Sequence, residues 1–187
     1  HSHEVDGQPG KIRLLAWRNR ARLAGFREAL AYGNAVAWVP DPMFGRQYIF
    51  NVRHDEKIKY GLGINAEQAL NANVGVFLRA MQADGRSETY AFTEVDHSLA
   101  AGLAIKGGPW QRADDTVGVS LLRHGLSRER RRYLAAGGLS FFIGDGALRY
   151  RPEAVFETYY SLNLVKGVWL TADYQRNVLI FPNLILI

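Results

Sequence analysis

The chain has 187 residues, of which 48% are apolar, and a formal net charge of +5 at neutral pH. It has no cysteine, which excludes a disulfide framework and a thiolate metal site. No apolar run approaches the roughly 20 residues that a membrane-spanning helix requires, so a helical membrane protein is excluded. The length and composition fit a single domain. Its fold class has to be inferred from the pattern of residues along the chain.

The dominant pattern is an alternation of apolar and polar residues with period two, which is typical of half-buried β-strands. It is clearest after residue 56, where Ile58, Tyr60 and Leu62 alternate with lysine and glycine. Strands are predicted, in chain order, at Lys11–Arg20, Glu56–Gln68, Asn73–Ala80, Val95–Lys106, Thr116–Leu121, Glu153–Leu162 and Gly167–Arg176. A polar turn at Asn71–Asn73 joins the second and third of these into a predicted hairpin.

Two connecting segments show helical periodicity, Ala21–Tyr32 and Ser127–Ala136. In the second, Ser127 is suited to be the N-cap and Glu129 lies in the first turn. This segment carries the only tight arginine cluster of the sequence, which favours an exposed loop helix over an anion-attracting rim or a nucleic-acid site. The other arginines are scattered along the chain, which argues against a nucleic-acid partner.

The predicted strands are long. Strands of soluble sheets have about five or six residues, whereas a tilted strand that spans a bilayer needs about 9 to 11. Their second face carries glycine, asparagine, serine, threonine and charges, which is the composition expected of a water-filled lumen. We therefore predict an all-β protein, a transmembrane antiparallel β-barrel with short helices in its loops, whose apolar faces contact lipid.

Several segments resemble the OprB-type carbohydrate-selective porins, and they cover most of the chain in the family's order. They include Arg18-Asn19-Arg20-Ala21-Arg22, Gly25-Phe26-Arg27-Glu28-Ala29, Lys59-Tyr60-Gly61, Gly75-Val76-Phe77-Leu78-Arg79 and Gly107-Gly108-Pro109-Trp110. The more specific pieces are a Trp-x-Arg-x-x-Asp segment at 110–115 and a Glu-x-x-x-Glu-x-Tyr-Tyr strand at 153–160, which precedes Asp173-Tyr174-Gln175.

This resemblance implies a location in the bacterial outer membrane and passive diffusion of mono- and oligosaccharides, with no cofactor, no metal and no enzymatic activity. It also implies a barrel of roughly 16 strands, of which this chain would supply about half. Residues 1–187 are then one incomplete barrel domain. The segment 177–187 departs from the family's pattern, and its place is left open.

A sugar presents hydroxyl groups and an apolar C–H face, so a sugar channel needs carboxylates, arginine, amides and a few aromatic rings. Alternation assigns nine such side chains to the lumen: Lys57, Lys59, Glu67, Arg79, Asp96, Glu153, Glu157, Asp173 and Gln175. For each of them, a structural salt bridge or a solvated lumen charge is the alternative to sugar contact. The resemblance adds Trp110, Arg112 and Asp115 at a constriction, for which loop packing is the alternative.

The expected partners are small sugars and outer-membrane lipid, without nucleic acid; a homo-oligomer or a partner in an envelope complex stays open. A barrel that does not transport and a soluble sugar-binding sheet are the competing functions. A glycosidase fits poorly, because Glu153 and Glu157 lie about 13 Å apart along a strand, whereas retaining enzymes hold their two carboxylates about 5 Å apart.

Overall fold

A computed structural model describes residues 1–35, 48–89, 94–140 and 148–179 of the chain. Its main element is one sheet of eight antiparallel strands, each paired with its neighbours in sequence. The strands are β1 (Ser2–Val5), β2 (Gln8–Arg22), β3 (Glu56–Ala69), β4 (Val74–Ala83), β5 (His97–Gly107), β6 (Arg112–Gly125), β7 (Glu153–Val165) and β8 (Val168–Leu179). The prediction of an all-β antiparallel fold is confirmed, and every predicted strand is present.

The strands from β2 to β8 have 10 to 15 residues each. This is long enough to cross a bilayer at a tilt, for which about 9 to 11 residues are needed. β1 has only four residues, and a turn with positive φ at Asp6 and Gly7 joins it to β2. β8 is described to Leu179, so residues 180–187 of the open segment 177–187 lie outside the described residues.

The register gives the sheet two chemically different faces. Cross-strand partners share a face and successive residues alternate between faces. One face, called the apolar face below, carries mainly aliphatic and aromatic side chains, such as Leu14, Leu62, Leu78, Leu99, Leu121, Leu170 and Tyr174, all of them exposed. The opposite face, called the polar face, carries glycine, serine, amides and most of the charged residues. A large exposed apolar face of this kind fits lipid contact.

The connections differ at the two ends of the sheet. At one end they are short turns, at 6–7, 70–73, 108–111 and 166–167. At the other end they are long, at 23–55, 84–96 and 126–152. In the 70–73 turn, the Asn71 side chain accepts hydrogen bonds of 2.9 Å from the backbone of Asn73 and Val74, which closes the predicted hairpin.

The long connections fold into a small cap at their end of the sheet. The cap consists of α1 (Phe26–Ala35), α2 (Tyr48–Asn51), α3 (Arg128–Ala135) and the segments 84–89 and 94–96. Its buried centre is formed by Ala24, Phe26, Ala29, Ile49, Leu126, Tyr133 and Leu134. Burial raises the pKa of the Tyr133 phenol to about 12, because a phenolate there would lose its hydration. No helix in the described ranges has the length and hydropathy needed to cross a membrane.

The cap tests both helix predictions. Ser127 caps α3 as expected, since its Oγ accepts a 3.1 Å hydrogen bond from the Arg130 backbone amide. The first helix begins later than predicted, at Phe26 instead of Ala21. The reason is that β2 stays paired with β3 as far as Arg22, so cross-strand hydrogen bonds override the local helical pattern.

Candidate functional site

A continuous row of side chains crosses the polar face from β3 to β8. The register aligns Glu67, Phe77, Gly102, Ser120, Glu157 and Gln175 as direct cross-strand partners. The two small residues lie in the middle of the row, and a pocket of about 360 Å³ opens there, lined in part by Phe77, Arg79, Ser120, Glu157 and Tyr159. The polar face therefore combines a carboxylate, a guanidinium, a hydroxyl and two aromatic rings around one depression.

Aromatic rings on this face lean over glycines of the neighbouring strand. A Cβ atom at Gly102 would lie 2.6 Å from the Phe77 ring, and one at Gly118 would overlap the Tyr159 ring. Trp17 covers Gly61 in the same way. Because any larger residue would displace the ring, these glycines make the room in which each ring packs against the neighbouring strand.

Arg79 and Glu157 are the two charged groups of the pocket. The Arg79 guanidinium lies 5.0 Å from the centre of the Phe77 ring, a cation–π distance. Within the described residues, neither Arg79 nor Glu157 forms an ion pair or a hydrogen bond through its charged end. Both groups can therefore bind a solute without first breaking an internal ion pair or hydrogen bond.

Glu67 lies beside the pocket and is already paired. Arg13 of β2 donates two hydrogen bonds to its carboxylate, of 2.7 and 3.3 Å. Both side chains are more than 40% exposed, so water screens the pair and it contributes little to stability. Glu67 therefore lies on the polar face, as predicted, with a salt bridge that fixes its position.

The β7–β8 side of the polar face carries the remaining predicted carboxylates. Glu153 is half-buried at the start of β7 and pairs in register with His124. Asp173 lies opposite Tyr159 and accepts a 3.3 Å hydrogen bond from Gln175. These groups extend the acidic lining from the pocket along the last two strands.

The cap covers three of the predicted lumen residues. Lys57 reaches α1 and forms a 2.8 Å salt bridge with Glu28. Lys59 is 5% exposed and donates a 2.8 Å hydrogen bond to the Ser87 carbonyl. Lys59 is on the polar face, as its predicted place requires, but the cap segment at 84–89 encloses its ammonium group, so the structure favours a structural role over sugar contact.

Asp96 is likewise removed from the solvent. It is fully buried, 3.3 Å from the equally buried Arg130, and accepts a 2.8 Å hydrogen bond from the Ser127 amide. Strand β5 begins only at His97, so Asp96 belongs to the cap and not to the strand wall. Its predicted place in the lumen is therefore replaced by a structural one, in which it joins the 84–96 connection to α3.

Trp110, Arg112 and Asp115 form one network at the short-turn end of the sheet. Arg112 hydrogen-bonds both carboxylate oxygens of Asp115, which also accepts from the Tyr160 hydroxyl and the Asn163 amide. Trp110 donates a 3.1 Å hydrogen bond to the same hydroxyl. Tyr160 pairs with Val117 and Ala172, so the network lies on the apolar face.

This placement changes the expected role of the three residues. The turn at 108–111 and the register shift after Lys106 break the alternation on which a lumen assignment depends. An aromatic ring beside a neutralised carboxylate at a strand end is suited to the membrane–water interface. We therefore leave Trp110, Arg112 and Asp115 out of the candidate lining.

The structure also adds residues that the sequence did not single out. Trp17, Phe77 and Tyr159 are on the polar face because of their register, and Lys11 extends the central row onto β2 as the partner of Glu67. The three aromatic residues could have been found from the pairing of an aromatic residue with a glycine on the next strand. This pairing can be recognised only when the strand register is known. No group of three or more histidine or acidic residues suited to a metal ion occurs in the described part of the chain.

Comparisons with known proteins agree with this geometry. The sequence model of one protein family, described as carbohydrate-selective porin, OprB family, matches residues 2–176. The chain belongs to this family. The fold is similar to a solved structure of OprB from Pseudomonas putida at high pH, with a TM-score of 0.65 and 20% sequence identity. The match covers 93% of this chain and 40% of that chain. A comparison with curated protein sequences gives no significant match.

Family and fold together fix the class of the protein. It is an outer-membrane β-barrel protein of a family of transport channels, not of enzymes. The predicted resemblance, fold class and location are thereby confirmed. The chain spans less than half the length of the solved relative, so the activity of the whole protein is a matter for proposal.

Proposed function

We propose that the polar face lines a channel through which mono- and oligosaccharides diffuse passively across the outer membrane. The observation that carries this proposal is the central row with its pocket, where Arg79, Glu157 and two aromatic rings face the same space. The membership in a carbohydrate-selective porin family supports it.

The chemistry of the lining matches that of a sugar. Hydroxyl groups of a hexose both donate and accept hydrogen bonds, so the Glu157 carboxylate can accept, the Arg79 guanidinium can donate, and the Gln175 amide can do both. The apolar C–H face of a hexose can contact the ring of Phe77 or of Tyr159. The Phe77 ring leans over Gly102 of β5 and the Tyr159 ring over Gly118 of β6, so both rings border the same pocket in the middle of the row.

Charges of opposite sign lie on opposite sides of the polar face. The β2–β4 side carries a net positive charge, from Lys11, Arg13 and Arg79 against the single carboxylate of Glu67, and the β7–β8 side carries Glu153, Glu157 and Asp173. Such an arrangement sets up a field across the lumen that orients polar solutes and water. Each contact is modest and solvated, as flux requires, because a tight site would stop conduction.

The proposal is tested by single-channel conductance of the full-length protein in planar bilayers, with sugar added to one side. We expect a steady current that an oligosaccharide reduces, and weaker reduction in Arg79→Gln and Glu157→Gln. Arg27→Gln and Glu129→Gln in the cap are charge-matched controls, since this pair joins α1 to α3 away from the pocket. Their sugar block should equal that of the wild type.

Two outcomes oppose the proposal. A bilayer that stays silent with correctly folded full-length protein supports the competing function, a barrel that serves as a structural or complex partner in the envelope. A current whose sugar block is unchanged in both pocket variants removes the assignment of Arg79 and Glu157 to the lining.

A further inference from the structure

The apolar face changes character towards the long connections. On β2, the side chains that face this side are Ile12, Leu14 and Ala16, followed by Arg18, Arg20 and Arg22. Arg123 on β6 and Arg176 on β8 face the same side. The aliphatic band thus ends in a set of arginines, called the arginine rim below: Arg18, Arg20, Arg22, Arg123 and Arg176.

Most of the arginine rim has no counter-charge among the described residues. Arg20 forms a 2.5 Å salt bridge with Glu56. The other four are exposed, and in the described ranges they form no ion pair or hydrogen bond through their guanidinium groups. An arginine on the lipid side of a barrel is costly at the bilayer midplane but tolerated near the headgroups. The rim therefore marks the headgroup level, and its free guanidinium groups are suited to bidentate contact with phosphate.

An apolar groove leads away from Arg123 along the same face. Its floor and walls follow one cross-strand row, Leu14, Ile64, Ala80, Leu99 and Arg123. The groove has a volume of about 670 Å³, and His97 and Gln82 lie with Arg123 at its polar end. Because Ala80 is the smallest side chain of the row, the depression is deepest near its middle. A groove with aliphatic walls and a cationic end fits an acyl chain attached to a phosphorylated headgroup.

The lengths of the connections indicate which leaflet supplies this lipid. In outer-membrane barrels the short turns face the periplasm and the longer loops face the outside. The arginine rim lies at the long-connection end, beside the cap. It therefore meets the outer leaflet, whose characteristic lipid carries phosphorylated glucosamine and several acyl chains.

We propose that the arginine rim and the adjacent groove bind lipid A, the phosphorylated and multiply acylated lipid of the outer leaflet. Arg123, with His97 beside it, holds a phosphate group, and one acyl chain lies along Leu99, Ala80 and Ile64. Arg18 and Arg22 hold phosphate groups at the β2 side of the sheet. The site is on the lipid side of the wall, so it is independent of the proposed sugar path on the polar face.

The test measures lipid binding to the full-length protein, purified in detergent, by native mass spectrometry during titration with lipid A. We expect Arg123→Gln to bind lipid A about tenfold more weakly, because a charge-assisted hydrogen bond to phosphate is lost. Arg79→Gln removes the same charge from the opposite face and should bind lipid A like the wild type. Heat-modifiable migration on a denaturing gel shows that each variant is folded.

Two further titrations separate lipid A from other sources of phosphate. Phosphatidylglycerol should bind at least tenfold more weakly than lipid A, and inorganic phosphate at equal concentration should not displace the lipid. Equal binding of phosphatidylglycerol would overturn the assignment to lipid A. Displacement by inorganic phosphate would overturn the role of the groove, and unchanged binding in Arg123→Gln would overturn the role of the rim.

Discussion

Two leucines on neighbouring strands allow the two faces of the sheet to be compared directly. Leu62 on β3 lies on the apolar face and is 63% exposed, while Leu15 on β2 lies on the polar face and is 62% exposed. The register puts them one residue apart, since Leu15 pairs with Gly63. Because residue type, exposure and height in the sheet are matched, Leu62→Arg and Leu15→Arg differ mainly in the medium that the new charge meets.

The expected difference follows from where each side chain points. Leu62 lies at the middle of β3, so an arginine there faces the hydrocarbon core and should cost about 2 to 4 kcal/mol of stability. An arginine at position 15 faces the aqueous side, where exposed substitutions stay within about 0.5 kcal/mol. Repulsion from Arg13, two residues away on the same face, adds at most a few tenths of a kcal/mol.

The assay is reversible urea unfolding of the full-length protein in lipid vesicles, from which the change in free energy of unfolding is read at constant slope. We predict a large loss for Leu62→Arg and almost none for Leu15→Arg. Equal losses in the two variants, or a larger loss for Leu15→Arg, would refute the assignment of the apolar face to lipid.

Three other expectations follow from the cap and the wall. Asp96→Asn removes the charge partner of the buried Arg130 and should cost about 3 to 5 kcal/mol of stability. The loss should appear as proteolytic cleavage within 126–152, while the sheet keeps its heat-modifiable migration. Protease resistance equal to that of the wild type would contradict this. The free energy of unfolding should be at its full value below pH 10 and should fall as the pH rises towards 12, by roughly 1.4 kcal/mol per unit of pKa shift. The reason is that the Tyr133 phenol has a higher pKa in the folded protein than in the unfolded chain. Tyr133→Phe should remove this fall, and a fall that persists would exclude Tyr133 as its source. Gly118→Leu should displace the Tyr159 ring and weaken sugar block. Gly75→Leu should not, because its Cβ meets only the Gln68 carbonyl oxygen, at an ordinary contact distance of 3.8 Å; equal block in both variants would argue against the ring.

The sequence predicted the strands well because the alternation is generated by the two media on either side of the wall. The boundaries were less accurate where the alternation fades. β6 begins at Arg112, four residues before its predicted start, because the polar segment Arg112–Asp115 shows no apolar face. β1 was missed entirely, although Asp6-Gly7 is a strong hairpin signal, since its four residues are too few to show a period.

Alternation alone was enough to assign some of the predicted residues to a face of the sheet. Glu67, Arg79, Glu157 and Gln175 lie on the polar face because each is in the interior of a regular strand. Whether such side chains line a channel stays a prediction. The places of the other predicted lumen residues depend on contacts with segments that are distant in sequence.

Lys59, Asp96 and Trp110 have surroundings that the local alternation of the sequence does not predict. Lys59 has the correct face, but its burial depends on the segment 84–89, which begins 25 residues further along the chain. Asp96 lies just outside its strand, and Trp110 lies within the turn that resets the alternation. Register, cap packing and turn geometry are tertiary properties, and period two carries no information on them.

The central claim, that neighbouring residues of one strand face lipid and water in turn, can be measured directly on β7. The chain has no cysteine, so single cysteine substitutions at positions 154 to 162 each give one labelling site. In vesicles, a fluorophore at even positions should be quenched by nitroxide lipids, and one at odd positions by a water-soluble quencher. Quenching that does not alternate, or that alternates in the opposite sense, would contradict the account.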